Sequence, residues 1–486
     1  MAIQFKKTKL AAAVATVAVG LGLSAAANAV VVVGGDNGWE VSFDGNINAF
    51  YTQGNYDPGY NSLGLTAPVQ PVGSSATAFG TNNTVTTDIV GLGGAVTRTA
   101  STTFLPATGL DTARVTSGFL PAFFSFNVKS PTVNGMTGSA RFSFAPQITN
   151  ANIKNQIYGA GGINPGNSQG IQGSSIDTRE VLVNLDGGFG TVSYGRTLSI
   201  FGRQAILKDM TLFGVGQANL RSGAVTAGRI GRGYTYPNFN ARFSYKTPNL
   251  SGLQGEIGLY DPSAEQLNGS NAAGILDQTD TPRFEGELSY TAAFSGGSAQ
   301  FWADGLWQDI ENTAAGASSD VSVQGWGVGA EAKMMGFAMT GYYYGGSGLG
   351  RSLQFLGGTA CNSAVTINGT TFAPGTSCEA TDNDGYYLQG TYTFSGKTKF
   401  GASYGQSTED AYSNAIIRAA GLSELQARDA ELSMWTVGVY HDVSSWLKVI
   451  AEYSHSMNDY GANVVTLANG ADTEADTFSV GSFFFW

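Results

Sequence analysis

Sixteen segments of this sequence alternate apolar with polar or small side chains, and they follow one another along most of the chain. In one of them Leu447, Val449 and Tyr453 fall on one parity. Glu452 and Ser454 fall on the other. A period of two residues is that of a β-strand with one apolar face. The predicted strands are residues 39–51, 119–129, 136–147, 177–185, 189–196, 229–246, 253–260, 283–293, 299–309, 321–333, 336–345, 385–394, 398–407, 431–442, 447–457 and 475–486.

The connections between these strands alternate strictly between short and long. Residues 334–335 form one short connection, whereas residues 148–176 form one of the long ones. Transmembrane barrels sort their connections in this way, with short turns at one rim and long loops at the other. Sandwiches and propellers have no reason to do so. The sequence therefore predicts an all-β fold, a transmembrane antiparallel β-barrel of about 16 strands with long external loops and short periplasmic turns.

Two stretches depart from the regular series. Residues 52–118 lose the period and read as a long first loop, with a small hairpin expected around residues 84–96. Within the predicted strand 229–246, Pro237 interrupts the alternation, which favours a bulge at that point.

The chain ends on a strand with an apolar face and a terminal aromatic residue. Phe478, Val480, Phe484 and Trp486 share one parity. A soluble protein gains little from such a tail, because exposed apolar strands aggregate. A strand that seals a barrel can instead place these side chains against lipid and at its interface.

Composition agrees with a membrane barrel. Only 13% of the residues are charged and 12% are aromatic. Charged residues normally make up about a quarter of a soluble domain. After the N-terminus no apolar run reaches the ~20 residues that a spanning helix needs. A large soluble all-β protein is the alternative.

Residues 1–29 have the pattern of a secretory signal peptide. Lys6, Lys7 and Lys9 precede an apolar stretch, and Ala27-Asn28-Ala29 offers a small-residue cleavage site. An uncleaved anchor is the alternative, but the cleavage site favours export. Residues 30–486 would then be a single barrel located in the bacterial outer membrane.

The charge balance and the rare residue types exclude several functions. Without the signal peptide the chain has 22 basic and 36 acidic residues, a net charge of −14. This charge argues against nucleic-acid binding. Cys361 and Cys378 lie in one long loop of an exported protein, so a disulfide is expected. We expect no metal and no cofactor. Only His441 and His455 could serve as histidine bases, so we do not expect an enzyme and place an outer-membrane hydrolase third among the possible functions.

Basic residues are the best candidates for a functional site. Arg141, Arg229 and Arg242 lie on the inward parity of their predicted strands. Charges in the interior of the barrel would set its ion preference. Residues 197–228 add Arg203, Lys208, Asp209 and Arg221, which makes this segment net basic. For Arg203 and Arg221 a solvated loop charge is the simpler interpretation.

Four stretches resemble the general diffusion porins of Gram-negative bacteria. They are residues 178–185 (TREVLVNL), 188–196 (GFGTVSYGR), 228–232 (GRIGR) and 244–253 (SYKTPNLSGL). The resemblance implies that residues 197–228 fold into the barrel as its constriction loop. It also implies that Arg179 and Arg229 stand across the pore from that loop, and that the barrel forms a homotrimer.

The sequence departs from the family pattern at the constriction. The family's loop usually supplies several carboxylates, whereas only Asp209 is present here. Arg179 shares its parity with Val181, so an inward orientation would need a bulge. The residues expected at the pore constriction are Arg141, Arg179, Arg196, Arg203, Lys208, Asp209, Arg221, Arg229 and Arg242.

The expected function is passive diffusion of ions and small hydrophilic solutes through a water-filled barrel narrowed by the inserted loop. A basic constriction suggests a weak preference for anions. The expected partners are outer-membrane lipid, lipopolysaccharide and two further copies of the chain. The alternative is a barrel that acts as an adhesin or structural protein through its external loops.

Overall fold

The computed structural model describes most of the predicted strands and part of the connections. The described residues are 30–34, 37–57, 60, 88–90, 96–98, 110–146, 148, 176–218, 225–262, 280–311, 320–350, 352, 354, 359–361, 365–367, 370–372, 378–410, 429–459 and 472–486. The predicted signal peptide, residues 1–29, and Arg221 lie outside them.

The fold is a closed antiparallel barrel of 16 strands, as predicted. A short strand, Val30–Gly34, additionally pairs with the start of the first barrel strand. The barrel strands are β1 (Glu40–Tyr56), β2 (Leu110–Thr116 and Phe123–Lys129), β3 (Thr137–Pro146), β4 (Ile176–Gly187), β5 (Gly190–Leu198), β6 (Phe239–Lys246), β7 (Leu253–Tyr260), β8 (Arg283–Phe294), β9 (Gly297–Ile310), β10 (Val321–Met334), β11 (Phe337–Ser347), β12 (Asp382–Phe394), β13 (Thr398–Glu409), β14 (Ala430–Asp442), β15 (Leu447–Asp459) and β16 (Thr473–Phe485).

Pairing of the last strand with the first closes the barrel. In this pairing Phe484 of β16 lies opposite Ile47 of β1. Every other strand pairs with its neighbours in sequence. Closure leaves no unpaired strand edge, which is what a β-structure in lipid requires.

The predicted faces are confirmed along the strands. In β16, Phe478 and Phe484 are exposed on the outer face, whereas Phe483 is fully buried inside. In β15, Val449 is exposed and Ile450 is buried. Among the described residues, no helix is long and apolar enough to cross a membrane.

Short connections of the described chain include tight turns, and the strand ends that the long connections join lie at the opposite rim. Met335-Gly336 and Ser395-Gly396 each have two successive positive φ angles, 51° and 87° in the first pair and 50° and 66° in the second. Such turns match the twist of the strands they join. Short turns mark the periplasmic rim of an outer-membrane barrel.

The first loop is shorter than predicted, and β2 is interrupted. β1 continues to Tyr56, and Leu110–Thr116 forms the outer half of β2. The last five residues of β1 and the whole of Leu110–Thr116 therefore lie in the predicted loop 52–118. Residues 117–122 leave the wall, where the N–H of Phe119 donates to the Gly214 carbonyl at 2.8 Å. The expected small hairpin is present as Asp88–Val90 paired with Val96–Arg98.

The predicted strand 229–246 is wrong over its first ten residues, since β6 begins only at Phe239. The φ angles of Gly231 and Gly233 are 74° and 123°, and that of Asn238 is 60°. Positive φ angles turn the backbone out of the extended conformation. Residues 229–238 therefore belong to the connection between β5 and β6.

Candidate functional site

The described parts of the connection between β5 and β6, residues 199–218 and 225–238, pack inside the barrel and are called here the inserted segment. They are almost entirely buried. They include a short helix, α1 (Arg203–Lys208), and a 3-10 turn, Met210–Phe213. Their apolar side chains share one core with inward aromatic residues of the wall, such as Trp302 and Tyr387. The inserted segment therefore fills much of the barrel interior.

Carboxylates of the wall hold the backbone of the inserted segment. Glu285 of β8 accepts hydrogen bonds from the N–H groups of Ile200 at 2.7 Å and Phe201 at 2.9 Å. Buried N–H groups need such partners. The other backbone contacts are Gly202 N–H to Asp304 at 3.1 Å, Met210 N–H to Gln389 at 2.8 Å, and Val215 and Gly216 N–H to Glu452 at 2.6 and 3.0 Å.

The cations of α1 are paired with wall carboxylates. Arg203 lies 2.8 Å from Glu256 and 3.1 Å from Glu287. Burial by itself lowers the pKa of Arg203, but these two carboxylates outweigh it and raise that pKa above its ordinary value. Arg242 of β6 faces inward as predicted and lies 3.1 Å from Glu256. The two arginines are thus neutralised by nearby carboxylates.

Asp209 is buried at the centre of the inserted segment. It accepts hydrogen bonds from the backbone N–H of Thr211 at 3.0 Å and from the hydroxyl of Tyr234 at 2.7 Å. Burial and the adjacent Asp209 carboxylate raise the pKa of Tyr234, so its hydroxyl stays protonated and donates. Asp209 thereby ties the two halves of the segment together.

The expected position of Arg229 is wrong. It lies in the inserted segment, fully buried, rather than on a strand across from it. Its guanidinium donates to the Met434 carbonyl at 3.0 Å and to the hydroxyl of Ser403, and it lies 3.9 Å from Asp209. The turn-forming backbone of residues 229–238 explains the difference, because parity predicts orientation only within a strand.

Arg141 faces inward as predicted, but its charge is compensated. It lies 2.8 Å from Asp44 of β1 and 2.7 Å from Glu180 of β4. It also donates to the side chain of Asn127 at 2.9 Å. One cation facing two carboxylates leaves this part of the wall with negative charge.

Arg179 and Arg196 lie away from these groups. The pairing of β3 with β4 shifts next to Arg179, so the bulge that an inward Arg179 would need is present. Its guanidinium stacks 5.4 Å from the Phe239 ring and pairs with Asp177 at 3.0 Å. Arg196 has the outward parity of Tyr194 and is exposed, so its expected place at the constriction is wrong.

A cavity of about 1260 Å³ lies beside the inserted segment, at the rim of the short turns. Arg203, Lys208 and Asp209 line it from the segment. Four lysines of the wall also line it, and none of them is among the residues expected at the constriction. Each is within two residues of a strand end and on the inward parity, which the alternation of Lys129 and Lys399 with apolar neighbours already predicts. They are Lys129, Lys246, Lys333 and Lys399.

The sequence matches the family model of the Gram-negative porins over residues 10–461. The chain belongs to the Gram-negative porin family. Comparison of the porin sequence with curated proteins finds no match. Its fold resembles the outer membrane channel DcaP of Acinetobacter baumannii, with a TM-score of 0.57, 13% identity, and coverage of 94% of this chain and 100% of the other. It also resembles an anion-selective porin from Comamonas acidovorans, with a TM-score of 0.50, 12% identity, and coverage of 92% and 100%.

Family and fold together establish the general function. The porin is a channel of the bacterial outer membrane through which solutes diffuse. The predicted fold, location and function are thereby confirmed.

Proposed function

We propose that ions and small hydrophilic solutes pass beside the inserted segment, which acts as the constriction. The cavity supports this path because it is bounded by α1 on one side and by polar wall residues on the other, among them Ser139, Asn184 and Ser193. Aromatic residues fill the interior toward β9–β12, where Trp302 and Tyr342 are buried. The proposed path beside α1 therefore follows the wall from β3 to β7, and the cavity at its periplasmic end also reaches β10–β13.

We further propose a weak preference for anions. Seven cationic and four anionic side chains line the cavity, an excess of three positive charges, and this excess is the observation that carries the proposal. Charges on a narrow wall favour counter-ions within a Debye length of about 8–10 Å. The cations are Lys129, Arg203, Lys208, Arg242, Lys246, Lys333 and Lys399, and the anions are Asp186, Asp209, Glu256 and Glu331.

A planar bilayer with a salt gradient tests both proposals. We expect single-channel conductance steps and a reversal potential whose sign corresponds to anion selectivity. Lys246→Gln should move that reversal potential toward zero. Lys397→Gln, in the exposed turn after β12, is the control. A cation-side reversal potential would refute the anion preference. A folded barrel without conductance would favour the adhesin or structural alternative.

We propose that the porin assembles as a homotrimer. Arg196 supports this, because it is exposed on the outer face between the apolar neighbours Val181 and Ala241. An arginine facing lipid near the membrane centre would cost about 2–4 kcal/mol, and a subunit contact would avoid that cost. Sedimentation in density-matched detergent should give a trimer. Arg196→Glu should weaken the trimer and Arg179→Glu should not, and an unchanged trimer in Arg196→Glu would exclude this contact.

We propose that the outer rim contacts lipopolysaccharide. Carboxylates with outward parity lie above the girdle residues Tyr386, Trp435 and Tyr453, where lipid headgroups meet a barrel. Like charges repel, so contact with lipopolysaccharide phosphates would require bridging divalent cations. The described residues contain no group that could hold a metal ion by itself, so the phosphates would supply the remaining ligands. The carboxylates are Asp382, Asp384, Glu431, Asp459, Glu474 and Asp476.

Lipopolysaccharide that co-purifies with the porin tests this contact. EDTA should remove it, and the double variant Asp384→Asn/Asp476→Asn should reduce it. Asp442→Asn, at the end of β14 beside a short turn of the opposite rim, is the control. Retention of lipopolysaccharide in EDTA would contradict a contact through divalent cations.

We propose a disulfide between Cys361 and Cys378. Their backbones are direct partners in a two-stranded antiparallel pair, Thr359–Cys361 with Cys378–Ala380. Directly opposed residues lie about 4.5–5.5 Å apart at Cα, within the range that a disulfide spans. Mass spectrometry should detect the linked peptides before reduction. Alkylation of both thiols without reduction would refute the disulfide.

A further inference from the structure

Four inward lysines form a ring near the periplasmic rim, called here the lysine ring. Lys129 ends β2 and Lys246 ends β6. Lys333 is the last residue but one of β10, and Lys399 is the second residue of β13. All four line the same cavity of about 1260 Å³.

The lysine ring surrounds the opening rather than lying on one side of it. Its members stand on the second, sixth, tenth and thirteenth of the 16 strands, so Lys129 and Lys333 come from opposite walls. Lys246 and Lys399 also come from nearly opposite strands, and both line the cavity. The lysines therefore reach the opening from several sides of the wall.

Carboxylates compensate the ring only in part. Lys129 lies 3.8 Å from Glu40, and Lys333 lies 2.8 Å from Glu331. Glu331 also pairs with Lys208 at 3.0 Å, so one carboxylate serves two lysines there.

Among the described residues, two members of the ring have no carboxylate partner at ion-pair distance. Within the described ranges, no carboxylate lies within 4.0 Å of the ammonium group of Lys246 or Lys399. The ammonium of Lys399 lies 4.5 Å from the centre of the Tyr440 ring, a cation–π contact.

The described lysine side chains are confined to one end of the barrel. Every lysine that the structure describes lies near the short turns or lines this cavity. Near the opposite rim the described cations are arginines such as Arg114 and Arg283, and Arg283 pairs with Glu285 at 3.1 Å. The two entrances of the pore therefore present different charge patterns to a solute.

We propose that the lysine ring binds polyvalent phosphate-type anions that enter from the periplasmic side, and that a bound anion blocks the pore. The proposal rests on a conducting lumen beside the inserted segment. Lysine is a compact point charge with three rotatable donors, well suited to phosphate oxygens. A monovalent anion meets one ammonium group at a time and passes. An anion with several charges contacts several lysines at once, and its dissociation slows accordingly.

The experiment uses inorganic tripolyphosphate as the probe in planar bilayers. The orientation of the porin is established by labelling Ser395→Cys, in a short turn, with a membrane-impermeant maleimide. Tripolyphosphate on the periplasmic side should produce brief, voltage-dependent block, whereas the same concentration on the other side should not. Chloride and acetate at the same ionic strength should cause no block.

Variants separate the ring from a general charge effect. Lys246→Gln/Lys399→Gln should weaken the block at least about tenfold, which corresponds to the loss of two close charge contacts. Lys246→Arg/Lys399→Arg should retain it. Lys397 is exposed in a short turn, two positions before Lys399. Lys397→Gln is therefore the matched control and should behave as the parent.

The outcomes distinguish the ring from the proposed pore. Equal block from both sides, or block unaffected by the glutamine pair, would overturn the lysine ring while leaving an anion-selective pore intact. A folded barrel that does not conduct would overturn the proposed function, and the ring with it. Heat-modifiable migration in gels checks that each variant is folded.

Discussion

The carboxylate of Glu452 on β15 accepts a hydrogen bond of 2.6 Å from the backbone N–H of Val215 in the inserted segment. The same oxygen accepts from Gly216 at 3.0 Å. A side chain at position 214 would overlap this carboxylate, so Gly214 allows the close approach. Glu452 thereby holds the middle of the segment against the wall opposite α1.

Removal of this acceptor should loosen the inserted segment. Glu452→Ala leaves two buried N–H groups without a partner, at a cost of about 1–3 kcal/mol each. We expect a larger and noisier single-channel conductance. Glu452→Gln keeps an amide oxygen as acceptor and should conduct almost as the parent does. Identical recordings for all three proteins would show that the carboxylate does not position the segment.

Loss of Arg141 should destabilise the barrel. Arg141→Gln leaves Glu180, which is 1% exposed, and Asp44 without their cation. Breaking a buried ion pair costs about 3–5 kcal/mol. Urea unfolding followed by tryptophan fluorescence should show the loss. Arg179→Gln, whose partner Asp177 is half exposed, should change the free energy of unfolding by less than about 1 kcal/mol. Equal effects for both variants would contradict this assignment.

Replacing a phenylalanine with alanine should have different effects on the two faces of the last strand. The Phe483 ring is buried, 5.7 Å from both Phe50 and Phe213. Phe483→Ala should cost about 3–5 kcal/mol, because it opens a cavity between the wall and the inserted segment. Phe484→Ala faces lipid, which fills the vacated space, and should cost less. The unfolding midpoints of the two variants measure the difference, and equal midpoints would contradict the burial of Phe483.

The rim of the long connections should be sensitive to pH through Asp410. Burial, and then the neighbouring carboxylates Asp429 and Asp382, raise the pKa of Asp410 to about 6. The fold thus favours the neutral acid. Its contribution to stability is complete below the unfolded pKa of about 3.9 and is lost as pH rises through about 6.

Asp410→Asn should remove this dependence. Relative to the parent, the variant should gain stability as pH increases from about 4 to about 7. Unfolding midpoints across that range measure the change. Asp261→Asn, beyond the end of β7, is the control. A stability difference independent of pH would rule out the titration of Asp410.

Most of the fold could be predicted, because a strand's period is local. The outward faces of β15 and β16 follow from counting alternate residues, and the tight turns follow from their X–Gly pairs. The interruption of β2 at residues 117–122 could not be predicted, since it depends on a hydrogen bond to Gly214 in a distant segment. The false strand 229–238 arose because Tyr234 and Tyr236 fall on one parity, whereas the positive φ angles of Gly231, Gly233 and Asn238 turn the backbone out of the extended conformation.

The candidate site was predicted less well, because parity indicates a face but not a partner. Arg141 and Arg242 do point inward. Their charges, however, are neutralised by Glu180 and Glu256. Among the described cations that line the cavity, those without a carboxylate partner at ion-pair distance are Lys246 and Lys399, which were not among the residues expected at the constriction. Arg229 and Arg196 were misplaced for local reasons, a turning backbone and an outward parity.

By itself the sequence determined the barrel, its two faces and the sorting of its connections, since these depend on side-chain period and turn chemistry within a few residues. Only the tertiary structure decided which charges meet inside. Val215 and Glu452 are 237 residues apart in sequence, and Arg141 and Glu180 are 39 apart. Strand pairing brings Arg141 and Glu180 together, and insertion of the segment into the barrel brings Val215 to Glu452. The free energy of pairing buried charges and N–H groups then selects the partners.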